Sequence, residues 1–293
     1  MKFQGAFTAL ATPFRQGELD LDAFDRLIDR QIAGGIAGVV PCGTTGEAPT
    51  LSTTEQRTLI ERTVGRAKGK ALVIAGTGTN ATRETIERTR AAEELGVDAA
   101  MLVMPYYNKP TQRGLLEHVR AIHDATKLPL MLYNVPGRTA GDLLADTVVE
   151  IARACPRVVA LKEATGNVLR TQQIANALGD RLAILSGDDA LTLPILACGG
   201  RGIVSVTSNI APAEVSAVVA TFFAGDLPDA RRRHFALLEL HDVMFTETSP
   251  GPLKGAMALL GQIQPEIRMP LLWPGDKTID AVRAVLTRYG MLK

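Results

Sequence analysis

Cysteine is scarce in this chain: Cys42, Cys155 and Cys198 are the three among 293 residues. An odd number with no C-x-x-C spacing argues against a disulfide framework and suits reduced thiols, so the cytoplasm is the expected location. His118, His123, His234 and His241 form neither an H-E-x-x-H nor a finger pattern, so no metal site is expected. Charge of one sign is missing too. The 32 basic and 31 acidic residues leave a formal net charge of +1, with no basic run or acidic tail, which disfavours nucleic acid and membrane surfaces as partners. Apolar runs stay well short of the roughly 20 residues that a membrane-spanning helix needs, and residues 1–5 lack the apolar core of a signal peptide. Spanning and export are therefore both disfavoured.

The chain does have a regular succession of short apolar runs and amphipathic segments. Strands are expected at 6–12, 38–41, 71–76, 99–104, 130–133, 158–162, 182–186 and 202–206. Helices are expected at 22–33, 54–64, 82–95, 112–126, 143–154, 168–178, 191–197 and 212–224, with stop signals such as Gly34-Gly35 and Gly96. Eight strand–helix units predict an α/β fold, a (β/α)8 TIM barrel of typical length. An open doubly wound sheet is the alternative, but its G-x-G-x-x-G after the first strand is missing. Beyond residue 224 the strand signal stops, and Pro250, Pro252, Pro265, Pro270 and Pro274 break the remainder of the chain into helices. The expected division is a catalytic barrel over 1–224 and an all-helical C-terminal extension over 225–293.

In such a barrel the chemistry sits at the C-terminal ends of the strands. The run from Val158 ends at Lys162 and is followed by the turn residues Thr165-Gly166-Asn167. Strand alternation puts Val158, Ala160 and Lys162 on one side. If that side is the interior, the strand delivers an amine into an apolar space that disfavours its charged form, making it a nucleophile towards carbonyls. The other reading is a strand-end lysine with its tip in water.

Other strand ends offer partners, each with a plainer reading. Gly43-Thr44-Thr45-Gly46 forms either an ordinary turn or an inward nest of N–H groups suited to a carboxylate or phosphate. Gly76-Thr77-Gly78 lacks the third glycine of a nucleotide loop, and Asn80 or Thr82 as a helix cap explains the composition. Tyr106 and Tyr107 are core plugs, interface residues or proton relays. Tyr133 shares a face with Met131 and points inward by the same alternation. Arg138 follows a rigid Pro136-Gly137 turn and is either a surface residue or a carboxylate clamp. Small residues at the ends of the seventh and eighth strands, such as Gly187 and Ser205, leave room for a ligand, while Asp188 and Asp189 read as helix caps as much as catalysts.

Taken in order, Gly43-Thr44-Thr45-Gly46-Glu47, Pro105-Tyr106-Tyr107-Asn108-Lys109-Pro110, Tyr133-Asn134-Val135-Pro136-Gly137-Arg138-Thr139 and Leu161-Lys162-Glu163-Ala164-Thr165-Gly166-Asn167 resemble the dihydrodipicolinate synthase family of pyruvate-dependent class I aldolases. The resemblance runs end to end. It implies that Lys162 forms an imine with pyruvate, whose enamine attacks aspartate semialdehyde to give 4-hydroxy-tetrahydrodipicolinate, with no other cofactor. It implies a proton relay of Tyr133, Thr44 and Tyr107, with Tyr107 supplied across a subunit interface, hence a homo-oligomer: a dimer, or a dimer of dimers giving a homotetramer. It further implies that Thr45 holds the pyruvate carboxylate, that Arg138 holds that of the semialdehyde, and that Gly187 and Ile203 line the pocket. Within the superfamily the alternative is a pyruvate-releasing sugar-acid aldolase such as N-acetylneuraminate lyase or 2-keto-3-deoxygluconate aldolase. Arg138 and the Thr44-Thr45 pair favour the synthase. A catalytically dead scaffold is disfavoured because the lysine, both tyrosines and both threonines are all present. Asn80, Glu84 and Tyr106 match residues with which feedback-sensitive members bind lysine. Thr53 and Gln56 replace histidines that some of those members carry, so weak or absent lysine inhibition is expected.

Overall fold

Side-chain alternation along each apolar run decides how the strands assemble. In the computed structural model, which describes residues 3–292, the strands are β1 (Gly5–Ala9), β2 (Gly38–Val40), β3 (Leu72–Gly76), β4 (Ala99–Val103), β5 (Leu130–Asn134), β6 (Val158–Glu163), β7 (Ala183–Ser186) and β8 (Gly202–Ser205). They pair in parallel in chain order, and β8 returns to β1 with Phe7 opposite Val204, closing the barrel. Every second residue turns inward: Phe7, Ile74, Met101, Met131, Tyr133, Ala160, Leu185 and Val204 belong to one buried cluster that fills the ring. Their neighbours Ala6, Val73, Leu102, Leu132, Leu161 and Ile203 belong to a second cluster under the helices.

The helices follow as Leu21–Ala33, Thr53–Ala67, Thr82–Glu94, Gln112–Ala125, Ala145–Ala154, Val168–Leu178, Thr192–Ala197 and Pro212–Phe223. Four of these starts are fixed by side chains that satisfy the first free N–H groups. Ser52 and Glu55 form a reciprocal capping box, and Asp20, Thr111 and Asn167 cap their own helices. Four more helices, Leu227–Phe235, Leu238–Val243, Gly251–Leu259 and Asp276–Arg288, make up the tail. Leu240, Met244, Leu253, Met257 and Leu286 from this tail share the apolar layer that packs the outer helices on the barrel. Among the described residues no helix is long and apolar enough to cross a membrane.

Three local features depart from the sequence expectation. A two-stranded ribbon, Phe14–Arg15 with Glu18–Leu19, fills the connection after β1. A single helical turn, Pro136–Thr139, replaces a plain loop after β5, with Pro136 preset for its first position. The register between β5 and β6 shifts, so Leu130 faces Val158 while Met131 already faces Ala160. The extra residue turns Val158 out to the helix layer, so only Ala160 and Lys162 of the expected trio point inward.

Where the ring closes, Gly5 and Gly202 lie backbone to backbone. A Cβ on Gly202 would fall far inside the van der Waals contact distance of the Gly5 carbonyl oxygen, a backbone atom that cannot rotate away. Gly202→Ala is accordingly expected to cost about 3 kcal/mol or more, or to abolish folding, measured as a drop in Tm or in soluble yield.

Candidate active site

The barrel brings Lys162 and Tyr133 together because β5 and β6 are neighbours in register, with the two residues directly opposite. Both are 5% exposed. The Lys162 Nζ sits 4.2 Å from the centroid of the Tyr133 ring. Among the described residues no carboxylate lies within 4.0 Å of that nitrogen. The contrast is Lys254, fully buried, whose ammonium is taken by Glu47. Gly187 explains how the Lys162 stem gains room: a Cβ there would sit 2.6 Å from the Ala164 Cβ and 3.2 Å from the Lys162 Cε.

Around this amine lies a cavity of about 170 Å³, walled by Thr44 and Thr45 from the loop after β2, Tyr133, Arg138, Gly187 and Asp188. Val135, Ala164, Val206, Phe245 and Ser249 complete it, the last two from the tail. Arg138 sits on the Pro136–Thr139 turn, where its Nη2 donates to the Ser249 carbonyl at 3.1 Å. The Asp188 carboxyl accepts from the Ala190 N–H at 3.0 Å, yet burial holds its pKa above the ordinary carboxylate value. A guanidinium and a carboxyl thus share a small cavity with an amine and a phenol.

Glu163 and Arg170 were not anticipated from the sequence. Alternation turns Glu163 away from the cavity, into the layer where the next helix begins. There its carboxylate accepts from Arg170 Nε at 2.8 Å and from the Thr165 N–H at 2.9 Å, while Arg170 also donates to the Leu143 carbonyl. Asn134, at the end of β5, donates to Asp142 at 2.8 Å and accepts from the Leu143 N–H at 3.2 Å. The ends of β5 and β6, which carry Tyr133 and Lys162, are pinned by one buried polar network. The available signal was an acid next to the lysine and an arginine seven residues on, in the first turn of the following helix.

Two expected site residues stand elsewhere. Ile203 pairs with the outward-facing Ala6, so its side chain lies under the helices, and Val204 is the residue of β8 that faces the interior. Tyr107 has φ 72° and is 89% exposed, outside the cavity of its own chain. Tyr106 lines a second cavity of about 370 Å³ together with Arg88, Ala48 and Pro49, and this cavity shares Thr44, Tyr133 and Arg138 with the first. Beside it Glu84 is paired with Arg88, and the Asn80 carbonyl accepts from Asn108 at 2.8 Å.

A buried amine at the C-terminal end of the sixth strand of a closed parallel barrel, beside a phenol, defines the class of lysine-dependent barrel aldolases. Residues 2–289 match the model of the dihydrodipicolinate synthetase family. A 4-hydroxy-tetrahydrodipicolinate synthase of Sorangium cellulosum is 52% identical over 290 residues, covering 98% of this chain and 96% of the relative. The crystal structure of dihydrodipicolinate synthase from Aquifex aeolicus superposes with a TM-score of 0.97 at 43% identity, covering 99% of both chains. The chloride-inhibited dihydrodipicolinate synthase from Acinetobacter baumannii, solved in complex with pyruvate, gives 0.97 at 42% identity, covering 99% of this chain and 100% of that one. The chain belongs to the dihydrodipicolinate synthetase family and is an enzyme.

The network behind the strands yields a stability prediction. Arg170→Leu leaves the Glu163 carboxylate buried without its cation and is expected to cost about 3–5 kcal/mol in urea unfolding. The double variant Glu163→Gln with Arg170→Met is expected to recover most of that loss.

Proposed function

We propose that this chain condenses pyruvate with L-aspartate 4-semialdehyde through an imine on Lys162, giving 4-hydroxy-tetrahydrodipicolinate for lysine and diaminopimelate biosynthesis. The observation that carries the reading is the unpaired, buried Lys162 amine set over a phenol, in a cavity that also holds one guanidinium and one carboxyl. The complex of the Acinetobacter baumannii relative with pyruvate supports the choice of first substrate.

In this reaction the Lys162 nitrogen adds to the keto carbon of pyruvate and water leaves, forming an iminium. That iminium withdraws electrons from the adjacent methyl, which loses a proton to become the enamine carbon. The enamine attacks the aldehyde carbon of the second substrate. The substrate's own amine then displaces Lys162 and closes the ring. Tyr133 moves the protons during imine formation and ring closure, with Thr44 next in the relay. Thr45 holds the pyruvate carboxylate, and Gly187 gives the adduct its space. Lys162 supplies the electron sink itself, so the chemistry calls for no metal; among the described residues no group of three His, Cys, Asp or Glu side chains is arranged to hold one.

A semialdehyde of this kind carries a carboxylate and an ammonium, and the cavity offers Arg138 to the first and Asp188 to the second. A polyhydroxy acid, the substrate of the sugar-acid aldolases, has no use for that pair. The exposed Tyr107 supports a homo-oligomer in which this phenol joins the relay of a neighbouring copy. Residues 1–224 then hold the chemistry while the extension 225–293 completes the cavity wall. Lysine inhibition is weak in this reading, because Glu84 is already engaged by Arg88 and the Gln56 amide donates to the Ala48 and Leu51 carbonyls at 3.2 and 3.3 Å.

Borohydride reduction in the presence of pyruvate tests the reading directly: the peptide containing Lys162 should gain one reduced pyruvate, and an unmodified chain would refute it. Tyr133→Phe should lower kcat about a hundredfold or more. Arg138→Ala should lower kcat/KM for aspartate semialdehyde about tenfold to a hundredfold, and no change would remove the role given to Arg138. Asp188→Asn should raise KM for aspartate semialdehyde but leave inhibition by succinate semialdehyde, which lacks the amine that displaces Lys162, unchanged; equal losses of affinity for both aldehydes would remove Asp188 from substrate recognition. Lysine in the low micromolar range should leave initial rates unchanged.

A further inference from the structure

The loop bearing Thr44 and Thr45 ends in Glu47, whose backbone adopts φ 55°, an unusual conformation for a side-chain-bearing residue. Its carboxylate is buried. One oxygen takes the Lys254 ammonium from helix Gly251–Leu259, and the other accepts the Arg268 backbone N–H at 3.0 Å. Lys254 Nζ and the Arg268 guanidinium lie over the Phe14 ring at 4.3 and 4.2 Å from its centroid. Arg268 continues outward, donating to the Thr50 carbonyl at 3.0 Å, to the Gly17 carbonyl at 2.8 Å and to Glu55, whose pKa it holds down to about 2. From the other side, the Thr12 hydroxyl donates to the Gly46 carbonyl at 2.8 Å.

A fully buried ion pair is seldom more stabilising than well-packed apolar side chains of the same volume. What it does specify is position, since the two charges tolerate only one arrangement. Here the specified atoms belong to the catalytic loop. The Glu47 N–H donates to the Thr44 carbonyl at 3.0 Å and the Gly46 N–H to the Gly43 carbonyl at 3.1 Å, so a shift of Glu47 is passed to both threonines.

We propose that Glu47 is a positioning residue: clamped by Lys254 and the Arg268 backbone of the C-terminal extension, it sets the Thr44-Thr45 loop at the height where it can receive a keto-acid carboxylate. The extension thereby reaches the chemistry through the loop as well as through the wall formed by Phe245 and Ser249. The proposal rests on the assignment of Lys162 and Thr45 to pyruvate made above.

Two variants test it. Glu47→Asp keeps the charge but shortens the reach by one methylene. Glu47→Leu with Lys254→Met removes both charges and fills the space. In each, the pyruvate concentration for half-maximal borohydride trapping, and KM for pyruvate, should rise about tenfold, and kcat at saturating pyruvate should fall as well because Thr44 moves with the loop. The double variant should regain a Tm near that of the parent without regaining its KM. Recovery of both together, or a Tm loss in Glu47→Asp with KM unchanged, would reduce the pair to a fold-stabilising contact and overturn the proposal. Absence of any adduct in the parent chain overturns the reading of Lys162 and this proposal with it. An adduct whose pyruvate dependence is the same in all three chains overturns the role of Glu47 alone.

Discussion

A primary amine taken out of water into a protein interior needs a counter-charge, and this fold deals with two buried lysines in opposite ways. Lys254 is neutralised by Glu47 and serves to tie the tail to a loop. Lys162 has the Tyr133 ring beside it and an open cavity before it, with no carboxylate within 4.0 Å among the described residues. The rest of the architecture is a means of keeping that second nitrogen in place without satisfying it. A surface lysine would be hydrated, and a paired one would be occupied.

The barrel meets this demand with backbone order rather than with contacts to the amine. Lys162 is inward because β6 alternates, and its height is set by pairing with Tyr133 across β5. Behind the sheet, Glu163, Arg170, Asn134 and Asp142 use up the polar groups at the two strand ends, so neither end can fray towards the cavity. Polar side chains satisfied behind the site and an unsatisfied one within it are a division of labour that a closed barrel makes easy, since successive residues face opposite sides.

Much of this was legible in the sequence for physical reasons. The β-branched and apolar runs gave all eight strands, and turn residues after each gave the helix starts. Lys162, Tyr133, Thr44, Thr45, Arg138 and Gly187 meet around one cavity because the residues just beyond a barrel strand face its C-terminal end. The misreading comes from single-residue register, which composition does not encode: an extra residue near Val158 turned that side chain outward. Long-range polar partners were invisible for another reason. Glu47 and Lys254 are separated by 207 positions, and nothing local in either segment announces the other. The ribbon at Phe14–Arg15 was missed because two-residue strands have no periodicity to read.

The most direct test of the account is a crystal structure of the chain soaked with pyruvate. The expected result is continuous density from the Lys162 Nζ to the keto carbon, with the substrate carboxylate seated on the Thr44-Thr45 loop. Pyruvate lying unlinked in the cavity, or joined to any lysine other than Lys162, would contradict the central claim.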